Sequence, residues 1–462
     1  MIHYVSTRGQ AGRRSFEDVL LVGLAEDGGL FVPETWPSFD AAGLRALRGL
    51  DYPTLAARLL APFTAGCFTE ADLLRLAHRA YDGFDHRATA PLRHLGGDHW
   101  LLELFHGPTL AFKDFAMQLL AAMFDEVLAR RGEQVTIVGA TSGDTGAAAV
   151  HAFAGKEQIR IAMLHPEGRV SPVQRRQMTT VQAGNVLNLA VRGTFDDCQD
   201  LVKAMFADVP FRTGQRLSAV NSINWARVVA QSVYYVWAAL RLGGPDRPVA
   251  FTVPTGNFGN VYAGRVATAL GLPMAKLVVA TNENDILARF FATRRYERGE
   301  VVATTSPSMD IQVASNFERL LLELDRHDAA RTRARMQSFG QGGGFAFEGE
   351  LPDLFAGGSA DQAEVAATIA ATLRATGDLV DPHTGVGLAV AARHRPAPGT
   401  PMVTLATAHP AKFPDAVIAA TGREPALPPR YADLMRLPER CRTIANDLAA
   451  VEAAVRDSFG AA

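Results

Sequence analysis

Between Gln134 and Arg295 the chain alternates short apolar runs with longer segments of helical spacing, and this alternation constrains the fold more than any other feature. The runs "QVTIVGA", "IRIAMLH" and "NVLNLAV" are separated by "TGAAAVHAFAG" and "SPVQRRQMTTV". A second series follows the long helix candidate "NSINWARVVAQSVYYVWAAL": strand "PVAFTVPT", helix "NVYAGRVATALG", strand "AKLVVATN", helix "DILARFFATRR". Strands that alternate with helices at this length predict βαβ units and parallel pairing, and the two series predict two sheets. "HWLLELF" adds a short strand, "DFAMQLLAAMFDEVLARR" a helix, and "PMVTLATAHPAKFPDAVIAATG" a strand, a polar loop and a closing helix. Residues 1 to about 95 read instead as helices such as "SFEDVLLVGLA" and "EADLLRLAHRAY" between Pro and Gly turns. "GQGGG", Gly340 to Gly344, predicts a flexible loop that "LPDLFAGGSADQ" continues toward the helix "AEVAATIAATLRATG". No internal repeat is visible.

At roughly 150 residues per domain, 462 residues predict two or three domains. A composition of 48% hydrophobic and 20% charged residues is that of a globular chain. The 46 basic residues balance 48 acidic ones, for a net charge of -2, so no overall field gathers nucleic acid or an anionic membrane. Any anionic ligand must be held locally. Cys67, Cys198 and Cys441 are odd in number and far apart, which predicts neither a disulfide framework nor a metal cluster and fits a reducing compartment. The first residues lack the pattern of a secretory signal, and no apolar stretch reaches the roughly 20 residues of a spanning helix. The expectation is a cytoplasmic protein.

Chemistry concentrates where strands give way to helices, the place at which a parallel sheet presents ligands. "GATSGDTGAAAV" surrounds Gly143 with Thr141, Ser142, Asp144 and Thr145, a set of hydroxyls and backbone N–H groups suited to a carboxylate. "PTGNFGNVYAG" brings Gly256, Asn257, Phe258, Gly259 and Asn260 to a helix N-terminus. The two glycines there are expected to supply the backbone freedom that turns successive N–H groups toward one phosphate. The spacing is neither that of a P-loop nor that of a dinucleotide fingerprint, so a small phosphorylated cofactor is expected. Taken singly, each loop has about an even chance of being only a tight turn. In "HGPTLAFKDF", Lys113 sits in a first helical turn between Phe112 and Phe115. The helix dipole and the apolar flanks both disfavour an ammonium there, which predicts a reactive amine able to form a Schiff base rather than a lysine reaching for solvent.

"HGPTLAFKDFAMQLL", "GATSGDTGAAAV", "PTGNFGN" and "YVSTRG…SFEDVLLVGLAEDGGLFVPE", in that family's order, resemble threonine synthase, in the longer branch with an extra N-terminal domain. The likeness spans roughly residues 4 to 420. It implies an α/β chain of pyridoxal-phosphate-dependent fold type II, similar to tryptophan synthase β, with two parallel-rich αβ domains and a mainly helical N-terminal one. The implied boundaries are an N-terminal domain at 1–95, a large cofactor-binding domain at 96–112 and 225–425, a small domain at 113–224 and a helical extension at 426–462.

The same resemblance implies that Lys113 holds pyridoxal 5'-phosphate and removes the substrate's Cα proton. Gly256, Asn257, Phe258, Gly259 and Asn260 would grip the cofactor phosphate, and the Thr407 hydroxyl would meet the pyridine nitrogen. Ser142, Gly143, Asp144 and Thr145 would receive the substrate carboxylate, with Asp144 alternatively supporting the loop as a capping residue does. Asn221, Ser222 and Arg227, beside Asn224, would take the substrate phosphate; the alternative is that "NSINWARV" is only an ordinary capped helix. His106, His383 and His409 are left outside the catalytic set. The implied activity is a lyase reaction that turns O-phospho-L-homoserine and water into L-threonine and phosphate, by a monomer or homodimer that needs no metal, nucleic acid or membrane. A phospho-lyase that releases 2-oxobutyrate, or a non-catalytic ligand-binding relative, are the alternatives.

Overall fold

A computed structural model describes residues 2–219 and 221–460. The chain divides into two compact units, one formed by residues 1–106 and 222–425, the other by 107–221 and 426–462.

The first unit is built on a six-stranded sheet in the order Phe355–Ser359, Met274–Thr281, Val249–Pro254, Met402–Ala406, His99–Glu103, Leu92–Gly96. All neighbours pair in parallel except the last two, which are antiparallel. Strand Val249–Pro254 is buried along its whole length, as expected of a central strand covered on both faces. Helix Pro382–Arg393 contributes Val386, Leu388, Ala389 and Val390 to the core on this sheet.

The segment "LPDLFAGGSADQ", expected as loop, contains the edge strand Phe355–Ser359. Two adjacent glycines hide a strand from propensity, yet packing demands them. A Cβ at Gly357 would lie 3.0 Å from the Phe291 side chain, and one at Gly358 would lie 2.9 Å from Val390. The backbone is approached so closely that only glycine fits.

The expected N-terminal domain at 1–95 falls within the first unit. It holds helices Phe16–Val22, Tyr52–Thr64 and Glu70–Tyr81, the last with the bounds expected, and also an antiparallel pair of short strands, Tyr4–Ser6 and Phe31–Pro33. Capping boxes at Ser15 with Asp18 and at Thr69 with Asp72 start the first and third of these helices. An aromatic cluster ties this segment to helix Trp225–Arg241: Tyr4, Trp36 and Phe63 pack on Trp225 at ring-centroid distances of 6.0, 5.9 and 6.0 Å.

The second unit carries a five-stranded, wholly parallel sheet in the order Arg442–Ile444, Val186–Val191, Ile159–Pro166, Val135–Ala140, Leu217–Ser218. The expected extension at 426–462 is part of this unit. Its strand extends the sheet edge, and its helix Leu448–Phe459 places Val451, Ala454 and Val455 in one core with Leu189, Cys198, Leu201 and Met205. Among the described residues no helix is long and apolar enough to cross a membrane.

Candidate active site

In the second unit, Lys113 is the first residue of helix Lys113–Arg131, whose N-cap Phe112 makes no side-chain cap bond. The turn before it is clamped. Asp114, fully buried, accepts from the Thr109 backbone N–H at 2.8 Å and from its hydroxyl at 2.6 Å. Gln177 Nε2 donates to the Thr109 carbonyl at 3.0 Å, and the Tyr431 hydroxyl donates to the Pro108 carbonyl at 2.8 Å. A Cβ on Gly107 would lie 2.5 Å from Asp114 Cβ, so the turn closes only with glycine. Leu110, at φ 60, is held against Val173, Tyr431 and Leu434.

The Lys113 side chain is 12% exposed, and its Nζ lies 3.1 Å from Asp144 Oδ2. Asp144 opens helix Asp144–Phe153, where the helix dipole favours a carboxylate, and its other oxygen accepts from Gln174 Nε2 at 2.8 Å. The carboxylate is thus fixed between the lysine amine and an amide. The loop's capping role belongs to Thr141, whose hydroxyl accepts from the Gly143 and Gly146 N–H groups at 3.0 and 2.8 Å. Gly143, at φ 144, is the N-cap, and a Cβ on it would lie 2.6 Å from Gln174. Ser142 is exposed and Thr145 half-buried.

In the first unit, the loop after strand Val249–Pro254 leads into helix Gly259–Ala269. The left-handed residue is Phe258, at φ 63, while Gly256 and Gly259 stay outside that region, contrary to the expectation that glycine freedom shapes the loop. Contact requires the glycines instead. A Cβ at Gly256 would lie 2.7 Å from the Ser308 carbonyl oxygen, and one at Gly259 would lie 3.2 Å from Asn316 Nδ2. Phe258 tolerates its φ because its ring is buried edge-on to Phe317, centroids 5.5 Å apart. Asn316 further fixes the loop by donating from its backbone and its side chain to the Asn257 carbonyl at 3.1 and 3.0 Å. Phe258 gives the helix no side-chain cap, so its first-turn N–H groups stand ready for an anion. Asn260, 7% exposed, has an Nδ2 without a hydrogen-bond partner among the described residues.

Arg227 is 4% exposed, and neither its Nε nor its Nη1 has a hydrogen-bond partner among the described residues. Burial pulls this guanidinium down to about 10. Arg319 offers the contrast: fully buried, it is spent on the Phe31 and Ile223 carbonyls and the Asn316 side chain. Asn224 is spent too, as the N-cap of helix Trp225–Arg241, accepting from Ala226 N at 2.9 Å and donating to the Leu20 carbonyl at 2.8 Å. The Ser222 carbonyl accepts from Asn316 Nδ2 at 3.1 Å, and Asn221, in the other unit, has a buried Oδ1 without a partner among the described residues. Asn221 and Ser222 precede the helix rather than open it.

Thr407, 4% exposed, directly follows strand Met402–Ala406. The histidines set aside are each engaged: His106 Nε2 with Glu103 at 2.8 Å, His383 Nδ1 with Asp381 at 2.7 Å, and His409 Nδ1 with the Ala411 N–H at 3.2 Å. Burial pushes His409 down to about 4. Asp114, Gln174, Gln177 and Tyr431 escaped the reading of the sequence. Their only local signal is the acidic residue after Lys113 and the i, i+3 glutamines of "SPVQRRQ".

A phosphate monoester fits the Gly256–Asn260 loop: an uncapped helix start, an orphaned buried amide donor, and glycines whose replacement would push the backbone off its wall. A part-buried amine at a helix start fits an aldehyde partner. Comparison with known proteins agrees. Three family models match: "Threonine synthase N terminus" at residues 3–81, "Pyridoxal-phosphate dependent enzyme" at 86–339, and "Threonine synthase, C-terminal" at 384–455. The chain is 51% identical to threonine synthase of Pseudomonas aeruginosa, over 98% of each chain, and 42% identical to that of Corynebacterium glutamicum, over 99% of this chain and 98% of the other. Its structure superposes on the pyridoxal-phosphate-bound threonine synthase of Brucella melitensis with a TM-score of 0.96, at 53% identity and 99% coverage of each. The Escherichia coli threonine synthase gives a TM-score of 0.83 at 31% identity, covering 98% of this chain and 99% of that one. The chain therefore belongs to the threonine synthase family of pyridoxal-phosphate-dependent enzymes.

Proposed function

We propose that the chain converts O-phospho-L-homoserine and water into L-threonine and inorganic phosphate, with Lys113 as its proton-carrying residue. The observation that carries this reading is the Lys113 amine, held at a helix start 3.1 Å from a carboxylate that Gln174 keeps in place. When bound, pyridoxal phosphate supplies an electron-accepting ring that stabilises negative charge next to the substrate's α-carbon.

Lys113 Nζ holds the cofactor and, once released, takes the proton from Cα and later returns one. Its tether keeps it beside that carbon, so one group serves both steps. Asp144 balances the charge that Nζ gains each time it takes a proton. Gly256, Asn257, Phe258, Gly259 and Asn260 bind the cofactor phosphate, and Thr407 offers its hydroxyl to the ring nitrogen. That neutral partner leaves the nitrogen largely unprotonated. Ser142, Gly143 and Thr145 receive the substrate carboxylate. Arg227, with two donors unspent among the described residues, takes the departing phosphate together with Asn221 and Ser222. The reading includes a cytoplasmic monomer or homodimer.

The test is a product assay. Incubated with O-phospho-L-homoserine and pyridoxal phosphate, the protein releases threonine and phosphate in equal amounts. Release of 2-oxobutyrate without threonine would replace the synthase reading with a phospho-lyase.

A further inference from the structure

We propose that Tyr234 and Tyr235 are positioning residues for the cofactor phosphate: their hydroxyls hold the Asn260 side chain by its oxygen and thereby turn its Nδ2 toward that phosphate. The inference rests on the reading of Gly256–Asn260 as the phosphate loop and goes beyond it by naming what aims the loop's side-chain donor.

Both tyrosines lie on helix Trp225–Arg241 and are fully buried, with ring centroids 5.1 Å apart. The Tyr234 hydroxyl lies 2.5 Å from Asn260 Oδ1 and 3.2 Å from Gln231 Oε1. The Tyr235 hydroxyl lies 2.9 Å from the same Oδ1 and 2.7 Å from the Asn260 backbone carbonyl. Two phenols therefore converge on Asn260: Tyr234 donates to Oδ1, and the single proton of Tyr235 is shared between Oδ1 and the backbone carbonyl.

Turning the amide over would place its nitrogen where the oxygen stands. A separation of 2.5 Å suits O–H···O and is too short for N–H···O, so the distance selects the orientation with oxygen toward the tyrosines. Burial raises both phenols well above their ordinary range, so each keeps its proton and remains a donor. The consequence is at the other end of the amide. Nδ2 is buried without a partner among the described residues, an arrangement that is unfavourable unless a ligand accepts from it. Asn260 is the second residue of helix Gly259–Ala269, so this donor joins the uncapped N–H groups of the same turn.

The test titrates apo-protein with pyridoxal phosphate and, separately, with pyridoxal, which lacks the phosphate. Y234F, Y235F, the double variant and N260A are compared with the unaltered chain, with thermal melting as the control for folding. The double variant is expected to lose about tenfold in affinity for pyridoxal phosphate. Its affinity for pyridoxal stays within about twofold, and the ³¹P resonance of its bound cofactor moves. N260A matches the double variant, and adding Y234F to N260A costs nothing further, because Tyr234 acts through the Asn260 side chain, whereas Tyr235 keeps its bond to the backbone carbonyl in N260A.

If N260A weakens pyridoxal phosphate selectively while the double variant binds it normally with an unmoved ³¹P resonance, the proposal fails and the loop reading stands. If the double variant loses both ligands equally, the tyrosines are merely structural and the proposal fails. If N260A leaves the preference for the phosphorylated ligand unchanged, the loop reading falls and takes the proposal with it.

Discussion

The turn that carries Lys113 and the loop Gly256–Asn260 are built on opposite plans. Around Lys113, polar groups are paired within the protein: Asp144 with the amine and Gln174, Asp114 with Thr109, Gln177 and Tyr431 with the turn's carbonyls. Around Gly256–Asn260, donors are left open among the described residues, in the Asn260 amide and in a helix start without a side-chain cap. A residue that must move protons needs a fixed starting position and a counter-charge. A residue set that holds an anion needs unspent donors. The difference predicts that changes near Lys113 act on turnover, and changes in the loop on cofactor affinity.

Lys113→Ala has the largest expected effect and tests the first half of the contrast. Loss of the amine assigned to the α-carbon is expected to lower kcat by about 10⁴-fold. The melting temperature stays close to that of the unaltered chain, because the clamped turn is built from Asp114, Gln177 and Tyr431 rather than from Lys113. Stopped assays for threonine and a thermal melt check both halves. A variant that melts early would mean that the lysine's ion pair holds the turn together.

Acid separates the two regions by another route. In the unit that carries the loop, His99 is buried with Nε2 2.9 Å from the Thr404 hydroxyl, and burial pushes it down to about 4. Its folded value lies below its unfolded value near 6.5, so the unfolded chain takes up the proton first as pH falls. Stability from this group is complete above about pH 6.5 and is lost progressively toward pH 4, by at most about 3 kcal/mol. His409 moves in the same direction. Denaturant melts from pH 7 to 4 should show this loss, and His99→Gln should flatten it. An unchanged slope in that variant would show that the acid sensitivity lies elsewhere.

Much of this organisation was legible in the sequence. The strand and helix alternation marked both sheets, "EADLLRLAHRAY" matched helix Glu70–Tyr81, and Lys113 stands at a helix start as its flanks required. What stayed hidden depends on distant partners. The strand Phe355–Ser359 is disguised by Gly357 and Gly358, which only the packing of Phe291 and Val390 explains. The N-terminal segment joins the first unit through aromatic contacts with Trp225, and no local pattern encodes such docking. Asp114, Gln174 and Gln177 act through side-chain hydrogen bonds that periodicity cannot report. Asn224 was the reverse case, a polar residue of promising type already spent as a cap.

Glycine replacements sharpen the second half of the contrast. Gly256→Ala sets a Cβ against a backbone oxygen, which cannot yield without moving the segment that carries Ser308. Overpacking of this kind costs about 1–3 kcal/mol, so affinity for pyridoxal phosphate should fall about 10- to 100-fold. Gly259→Ala meets a side-chain amide at 3.2 Å, which can give way, and should cost less than about fivefold. Absorbance titration of the apo-protein ranks the two. Equal losses would mean that the loop is shaped by backbone freedom after all.

Asp144→Asn cuts closest to the comparison. The side chain keeps its size and an oxygen for Gln174 Nε2, but the charge opposite Lys113 Nζ disappears. Charge-assisted hydrogen bonds are about twice as strong as neutral ones, so a fall in kcat of about tenfold is expected. Affinity for pyridoxal phosphate should change by less than about twofold, because the donors assigned to its phosphate lie in the other unit and do not use this carboxylate. The helix Asp144–Phe153 also loses a favourable charge at its start, worth about 0.3–1 kcal/mol, which a thermal melt detects separately. If the variant instead loses cofactor while turnover per bound cofactor is preserved, Asp144 serves binding rather than proton balance. The lysine turn and the phosphate loop would then be two parts of one anchoring device, and their different hydrogen-bonding plans would carry no division of labour.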